Sequence, residues 1–250
     1  MKSAPWNRLR EDFPVTKKYS YLANAPISPI PIQVQNAVSD FYKDNTIYGG
    51  TRWQKWIDCT EEARRMYASF IGARPEEIAF THSTSEGMNI IAHMLAHRGH
   101  AISNDLEFPS SNLPWINRGA DMTIVPSRSG MVPIERIRKA IGKKTRTIIT
   151  SHVQYSTGFK QDLETLSEIC GEENLYLVVN ATQSIGALNF DVGKFGVDFT
   201  VANGHKWMLS SFGIGTLYIQ SKLLDDESGL NPPFFSQFGQ EDREHFDNMK

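Results

Sequence analysis

From Glu77 to Val179 the chain alternates short β-branched or apolar runs with apolar stripes at helical spacing, and this alternation restricts the fold more than any other feature. Glu77-Ile78-Ala79-Phe80 reads as a strand, followed by a helical stripe through Met88, Ile91, Met94 and Leu95. Ala101-Ile102-Ser103 and Met122-Thr123-Ile124-Val125 read as short strands. Ile134, Ile137 and Ile141 repeat at helical spacing before the β-branched run Thr147-Ile148-Ile149-Thr150. Leu163, Leu166 and Ile169 form another stripe ahead of a strand at Leu175–Val179. Units in this order predict an α/β domain with a mostly parallel central sheet and helices on both faces. The striped residues are its expected core. In such sheets ligands gather beyond the carboxyl ends of the strands. Thr84, Phe108, Asn180 and Lys206 each follow a predicted strand and are the first candidates for chemistry.

Composition narrows the function classes. The chain has 250 residues, 40% hydrophobic and 22% charged, with a formal net charge of −2. This suits one large α/β domain, or a domain plus a fragment, and carries no electrostatic footprint for nucleic acid or a membrane surface. Cys59 and Cys170 form no CxxC, so neither a disulfide framework nor a zinc site is indicated. Met1–Trp6 lacks the apolar stretch of a secretory signal, no run is long enough to span a bilayer, and the expected location is cytoplasmic. Pro14, Pro26, Pro29 and Pro31 argue against regular structure, so residues 1–31 are expected to form an arm lying on the domain. No linker precedes Asn231-Pro232-Pro233, which leaves one domain over 32–230.

Two segments carry chemistry together. Asp198-Phe199-Thr200-Val201-Ala202-Asn203-Gly204-His205-Lys206-Trp207 delivers a lysine just past an apolar strand. Upstream, Tyr176-Leu177-Val178-Val179 runs into Asn180-Ala181-Thr182-Gln183. A lysine ending one strand and a polar Asn-x-x-Gln ending another is how a pyridoxal phosphate site is built: the amine forms a Schiff base, and groups at the neighbouring strand end hold the ring. In this order and spacing the segments resemble the class V aminotransferase superfamily, which includes cysteine desulfurases, isopenicillin-N-epimerase-like proteins and kynureninases. The resemblance implies the large domain of the aspartate-aminotransferase-like fold, with pyridoxal 5'-phosphate as cofactor. It also implies a small amino-acid-like substrate and a homodimer. The function it implies is a lyase, epimerase or transferase acting at the α-carbon. The alternative is a homologue that binds the cofactor, is weak or inactive in catalysis, and serves a binding or interaction role.

The resemblance assigns residues one by one. Lys206 carries the cofactor and afterwards shuttles the proton. His205, before it, helps hold the phosphate. The run Thr81-His82-Ser83-Thr84-Ser85-Glu86-Gly87 resembles the family's phosphate-cradling turn and gives the phosphate to Thr84 and Ser85. Taken alone, the same run reads as a plain helix cap by Ser83 or Thr84. Phe108 fits the place of a ring that stacks on the pyridine, and otherwise reads as core. Gln183 matches the residue that contacts the ring hydroxyl. His152 reads equally as an acid/base group or as a hydrogen-bonded strand-end residue.

Three departures matter. Asn180 stands where the family has an aspartate that keeps the ring nitrogen protonated; an amide is neutral and cannot stabilise that charge. Asn203 stands where serine is common. Tyr155 falls where desulfurases usually have asparagine, which brings the Gln-Tyr-x-Thr-Gly run closer to kynureninase or epimerase-like members. The family continues into a smaller domain that carries a substrate-clamping arginine and, in desulfurases, the nucleophilic cysteine. Residues 231–250 are expected to be the start of a truncated segment of it. Neither cysteine here lies at the nucleophile position, so desulfurase activity of this chain alone is not expected.

Overall fold

The computed structural model describes residues 6–224 and Leu230. A seven-stranded sheet organises them, with strands β1 (Ile78–Thr81), β2 (His100–Asn104), β3 (Met122–Val125), β4 (Thr145–Ser151), β5 (Tyr176–Asn180), β6 (Phe199–Asn203) and β7 (Gly215–Ile219). Their order is β1-β7-β6-β5-β4-β2-β3, and β7 is antiparallel to both of its neighbours while the other pairs are parallel. The expected mostly parallel sheet is therefore present. The helices are α1 (Trp6–Glu11), α2 (Ile32–Tyr48), α3 (Trp53–Phe70), α4 (Thr84–Leu95), α5 (Pro109–Ile116), α6 (Ile134–Ala140), α7 (Leu163–Glu173) and α8 (Val192–Phe195).

Alternation along each strand divides the core in two. In β5, Leu177 and Val179 join one layer with Ile102, Ile148, Leu166 and Ile169, whereas Val178 joins the other with Met88, Ile91, Trp115 and Ile149. Residues two apart share a face of a pleated strand, so a buried parallel strand feeds both layers. The stripes assigned to α4, α6 and α7 lie in these cores. Cys170 sits among them on α7, where burial, and secondarily the Asp198 charge, push its thiol up to about 12. Such a thiol is inert packing rather than a nucleophile.

Local signals fix the ends of these helices. Ser83 is extended, and its side chain accepts from the Glu86 N–H at the start of α4. This settles the cap in favour of Ser83 and leaves the Thr84 hydroxyl for other partners. Asp162 caps α7 by accepting from the Thr165 N–H, and Asn174 closes that helix in the left-handed region. Helices α2 and α3 fall in a stretch where the sequence suggested no element. Neither has a clean buried stripe, since α2 buries no residue and α3 buries Ala68.

Residues 6–31, within the stretch expected as an arm, are partly helical, with α1 and a 3-10 turn at Pro14–Lys17, and are irregular after that. Backbone bonds tie it down: the Ile32 N–H donates to the Asp12 carbonyl and the Ser28 N–H to that of His205. The expected small-domain segment, 231–250, lies outside the described residues. Among the described residues no helix is long and apolar enough to cross a membrane.

Candidate active site

At the carboxyl ends of β4, β5 and β6 a pocket of about 490 Å³ opens between the α4 N-terminus, the start of α5 and the turn after β6. Pockets for small ligands are commonly about 300–1,000 Å³. Thr84, Ser85, Phe108, Asn180, Gln183, Asn203, His205 and Lys206 all line it. These residues come from four separate segments and converge because each lies at or beyond the end of a strand on the same edge of the sheet.

Lys206 lies in the turn beyond β6, with Nζ 5.9 Å from the centroid of the Phe108 ring. Burial holds its pKa below the ordinary lysine value, which raises the fraction present as free amine. Its neighbour His205 stacks on Phe212, with centroids 4.6 Å apart and planes 19° apart. Burial, and then the Lys206 charge, lower the His205 pKa. Phe108 is the residue before α5 and remains 45% exposed. It therefore presents a face to the pocket instead of filling the core, and it meets Tyr155 edge-on at 5.1 Å.

The α4 N-terminus forms the polar end. With Ser83 spent on Glu86, the N–H groups of Thr84 and Ser85 occupy the first helical positions, where no intrahelical acceptor exists. Thr84 Oγ1 is 2.8 Å from Thr182 Oγ1, which links this turn to the end of β5. Strand β7 runs directly beneath it. A Cβ at Gly215 would come within 2.8 Å of the Ser83 carbonyl carbon and of Thr81 Oγ1, so the close approach requires glycine.

The amides at the other end are held by the protein. Asn180 Oδ1 accepts from the Thr182 N–H at 3.1 Å, and its Nδ2 donates to Ser111 Oγ at 3.0 Å. Gln183 Oε1 accepts from the Trp207 indole at 2.8 Å, and its Nε2 donates to the Ala25 carbonyl at 2.9 Å. Asn203 Oδ1 is buried and has no partner among the described residues. Behind Phe108, the buried Glu107 carboxylate accepts from Asn104, from Gln154 and from both the N–H and the hydroxyl of Ser151. This network fixes the backbone on which Phe108 and Ser151 stand.

His152 does not join the site. Successive side chains past β4 alternate, so Ser151, Val153 and Tyr155 line the pocket while His152 turns to the far side. There it is 1% exposed, packed between Phe190 and Phe195, and neither ring nitrogen has a partner among the described residues. Burial, and then Lys160, lower its pKa to about 4. Neither expected role, an acid/base group in the pocket or a hydrogen-bonded strand-end residue, describes it: His152 lies outside the pocket without a hydrogen-bond partner among the described residues, and its burial favours the neutral form. Its folded pKa lies below the ordinary 6.5, so unfolded chains bind the proton first as pH falls. Stability is therefore expected to drop between about pH 6.5 and 4, by at most roughly 1.4 kcal/mol per pH unit from this group. His152→Phe should flatten that part of a denaturant-midpoint-versus-pH curve, and an unchanged slope would contradict the assignment.

Some lining residues had weak signals or none. Ser151 and Val153 were recoverable from the period-2 alternation. Pro26 and Ile27 were not, because they arrive only through the long-range bonds from Gln183 and Ser28.

A strand-end lysine facing a helix N-terminus across a pocket, on this sheet order, defines the large domain of the aspartate-aminotransferase-like fold. The sequence profile of the aminotransferase class-V family matches residues 20–233. The chain belongs to that family, whose cofactor is pyridoxal phosphate. It is 32% identical over 235 residues to an uncharacterized aminotransferase of Bacillus subtilis, covering 93% of this chain and 62% of that one. It is 33% identical over 234 residues to a probable cysteine desulfurase of Methanothermobacter thermautotrophicus, covering 90% and 58%. Among solved structures, a cysteine desulfurase from Thermococcus onnurineus superimposes with a TM-score of 0.76 at 30% identity, covering 87% of this chain and 57% of that one. The chain thus spans less than two thirds of the length of these relatives.

The donors present suit the cofactor. Free N–H groups, hydroxyls and an imidazole fit a phosphate, the Lys206 amine fits covalent attachment, an aromatic face fits a flat ring, and the amides of Asn180 and Gln183 fit its polar edge.

Proposed function

We propose that this chain is the cofactor-binding part of a pyridoxal-phosphate enzyme that acts at the α-carbon of a small amino-acid-like substrate, as a lyase, epimerase or transferase. The observation that carries this reading is Lys206, half-buried and with a lowered pKa, in the same pocket as an open helix N-terminus. When bound, the cofactor supplies an electron sink for the bond broken at the α-carbon. Lys206 Nζ holds the cofactor covalently and, once released, takes or returns the α-proton. Thr84, Ser85 and His205 bind the phosphate, and Asn203 contacts the cofactor from the end of β6. Phe108 covers one ring face and excludes water from it, while Asn180 and Gln183 orient the ring edge. Pro26 and Ile27, from the stretch expected as an arm, line the mouth of the pocket, and the domain expected over 32–230 supplies the other residues of the site. Tyr155, which lines the pocket where desulfurases usually have asparagine, favours a lyase or epimerase unlike a desulfurase.

The same reading includes a second copy of the chain and a cytoplasmic location. Exposed apolar residues at the pocket rim (Phe212) and on α2 and α3 (Phe41, Ile47, Trp53) support a covering protein surface. A related structure, SspA in complex with cysteine, at 25% identity and a TM-score of 0.75, supports an amino acid as ligand. The test is to load the purified chain with pyridoxal phosphate and record absorption spectra against a panel of amino acids. Spectral change with one or more of them, and a borohydride-fixed label on Lys206, are expected. A label on another lysine, or none, removes the proposal. One observation favours a second reading, a chain that holds the cofactor but turns over weakly: Asn180 offers no charge to the ring. In that case the label forms on Lys206 and no amino acid alters the spectrum.

A further inference from the structure

Asn180 is fixed in one orientation. The atom facing the Thr182 N–H at 3.1 Å must be the amide oxygen, because the reverse rotamer would set donor against donor. Nδ2 therefore points the other way. One of its hydrogens goes to Ser111 Oγ, and the second has no acceptor among the described residues. The side chain is 95% buried yet lines the pocket that holds Lys206. Whatever ring atom meets it meets an N–H donor and must be an acceptor.

No nearby carboxylate changes this. Glu107 is the acidic group closest in the network, joined to Ser151, which lies opposite Asn180 in the β4–β5 register. Both Glu107 oxygens are already engaged by Asn104, Gln154 and Ser151, and Glu107 does not line the pocket. The titratable groups that do line it are Lys206, His205 and Tyr155, and no carboxylate is among them.

We propose that Asn180 selects the neutral, unprotonated form of the cofactor's ring nitrogen, so that this pocket holds a pyridine where an aspartate would hold a pyridinium. The inference rests on the cofactor reading above and deepens it. A protonated nitrogen would face the Asn180 N–H with a hydrogen of its own, leaving both without an acceptor. A ring held neutral withdraws electrons less strongly. That suits reactions needing modest stabilisation at the α-carbon more than those needing prolonged charge storage in the ring.

The test is the nitrogen resonance of the protein loaded with ring-¹⁵N pyridoxal phosphate, beside a titration with the N-methylated cofactor, which is permanently cationic. The wild-type resonance is expected at the unprotonated pyridine position near pH 7, and in Asn180→Asp at the protonated one. The N-methylated cofactor should bind wild type about tenfold more weakly than the natural one, and Asn180→Asp should lose or reverse that preference. If Asn180→Asp does not fold, the wild-type resonance and titration decide alone. A protonated nitrogen in wild type, or equal affinity for both cofactors, overturns this inference while leaving the cofactor reading intact. Failure to retain any labelled cofactor overturns both.

Discussion

Lys206→Ala is expected to abolish borohydride-fixable pyridoxal phosphate, leaving a protein that folds as before and binds the cofactor only reversibly. Nζ makes no hydrogen bond or ion pair to another described residue; its recorded contact is the distant Phe108 ring. Truncation therefore removes no structural partner, and the cost to stability should be under about 1 kcal/mol, the scale of a weak cation–π contact plus some stem burial. The covalent bond, by contrast, is all or nothing. Lys206→Arg is the sharper control: it keeps a positive charge near Phe108 but has no amine to deprotonate at ordinary pH. Mass spectrometry of reduced protein and a thermal unfolding scan read the two consequences separately. Labelled protein after either substitution would show that another lysine carries the cofactor.

The sheet and the strand-end candidates were legible because two periodicities, 2 and 3.6, mark strands and helices independently of context. Ile78–Phe80, the Met88–Leu95 stripe and Leu175–Val179 all lie where the patterns put them. Thr84, Phe108, Asn180 and Lys206 meet because parallel strands deliver their ends to one edge. His152 was misplaced for the opposite reason. Its residue type drew attention, although the alternation through Ser151, Val153 and Tyr155 already assigned it to the other face. Helix α2 was hard to read because its apolar residues form only a weak stripe, whereas α3 carries a legible one through Trp53, Trp56, Ile57, Ala63, Tyr67 and Phe70 that the strand-and-helix alternation from Glu77 onward did not include. The hydrogen bonds that orient Asn180 and Gln183, from Thr182 and from Trp207, depend on rotamers that no sequence pattern encodes.

Ser85→Asp is expected to weaken cofactor binding by about tenfold or more while leaving the apo fold as stable as before, or slightly more so. Ser85 is exposed and stands in the first turn of α4 at the polar end of the pocket. A carboxylate in a first helical turn is favourable by roughly 0.3–1 kcal/mol, because it complements the helix dipole and the unpaired N–H groups there. The same carboxylate would oppose the cofactor's phosphate. Like charges about 4 Å apart repel by about 1 kcal/mol in water and about 4 kcal/mol near a protein surface, and the phosphate carries close to two charges. Repulsion therefore outweighs the helix effect only when the phosphate is present. The two effects have opposite signs and separate measurements: the apo melting temperature, and the cofactor dissociation constant by fluorescence titration. Added salt should shrink the binding defect, since the charges are partly exposed. Ser85→Asn, with similar shape and no charge, should lose much less affinity, and pyridoxal without phosphate should not distinguish Ser85→Asp from wild type. Equal cofactor affinity in Ser85→Asp and wild type at low salt would place the phosphate elsewhere and reduce the α4 terminus to an ordinary helix start capped by Ser83.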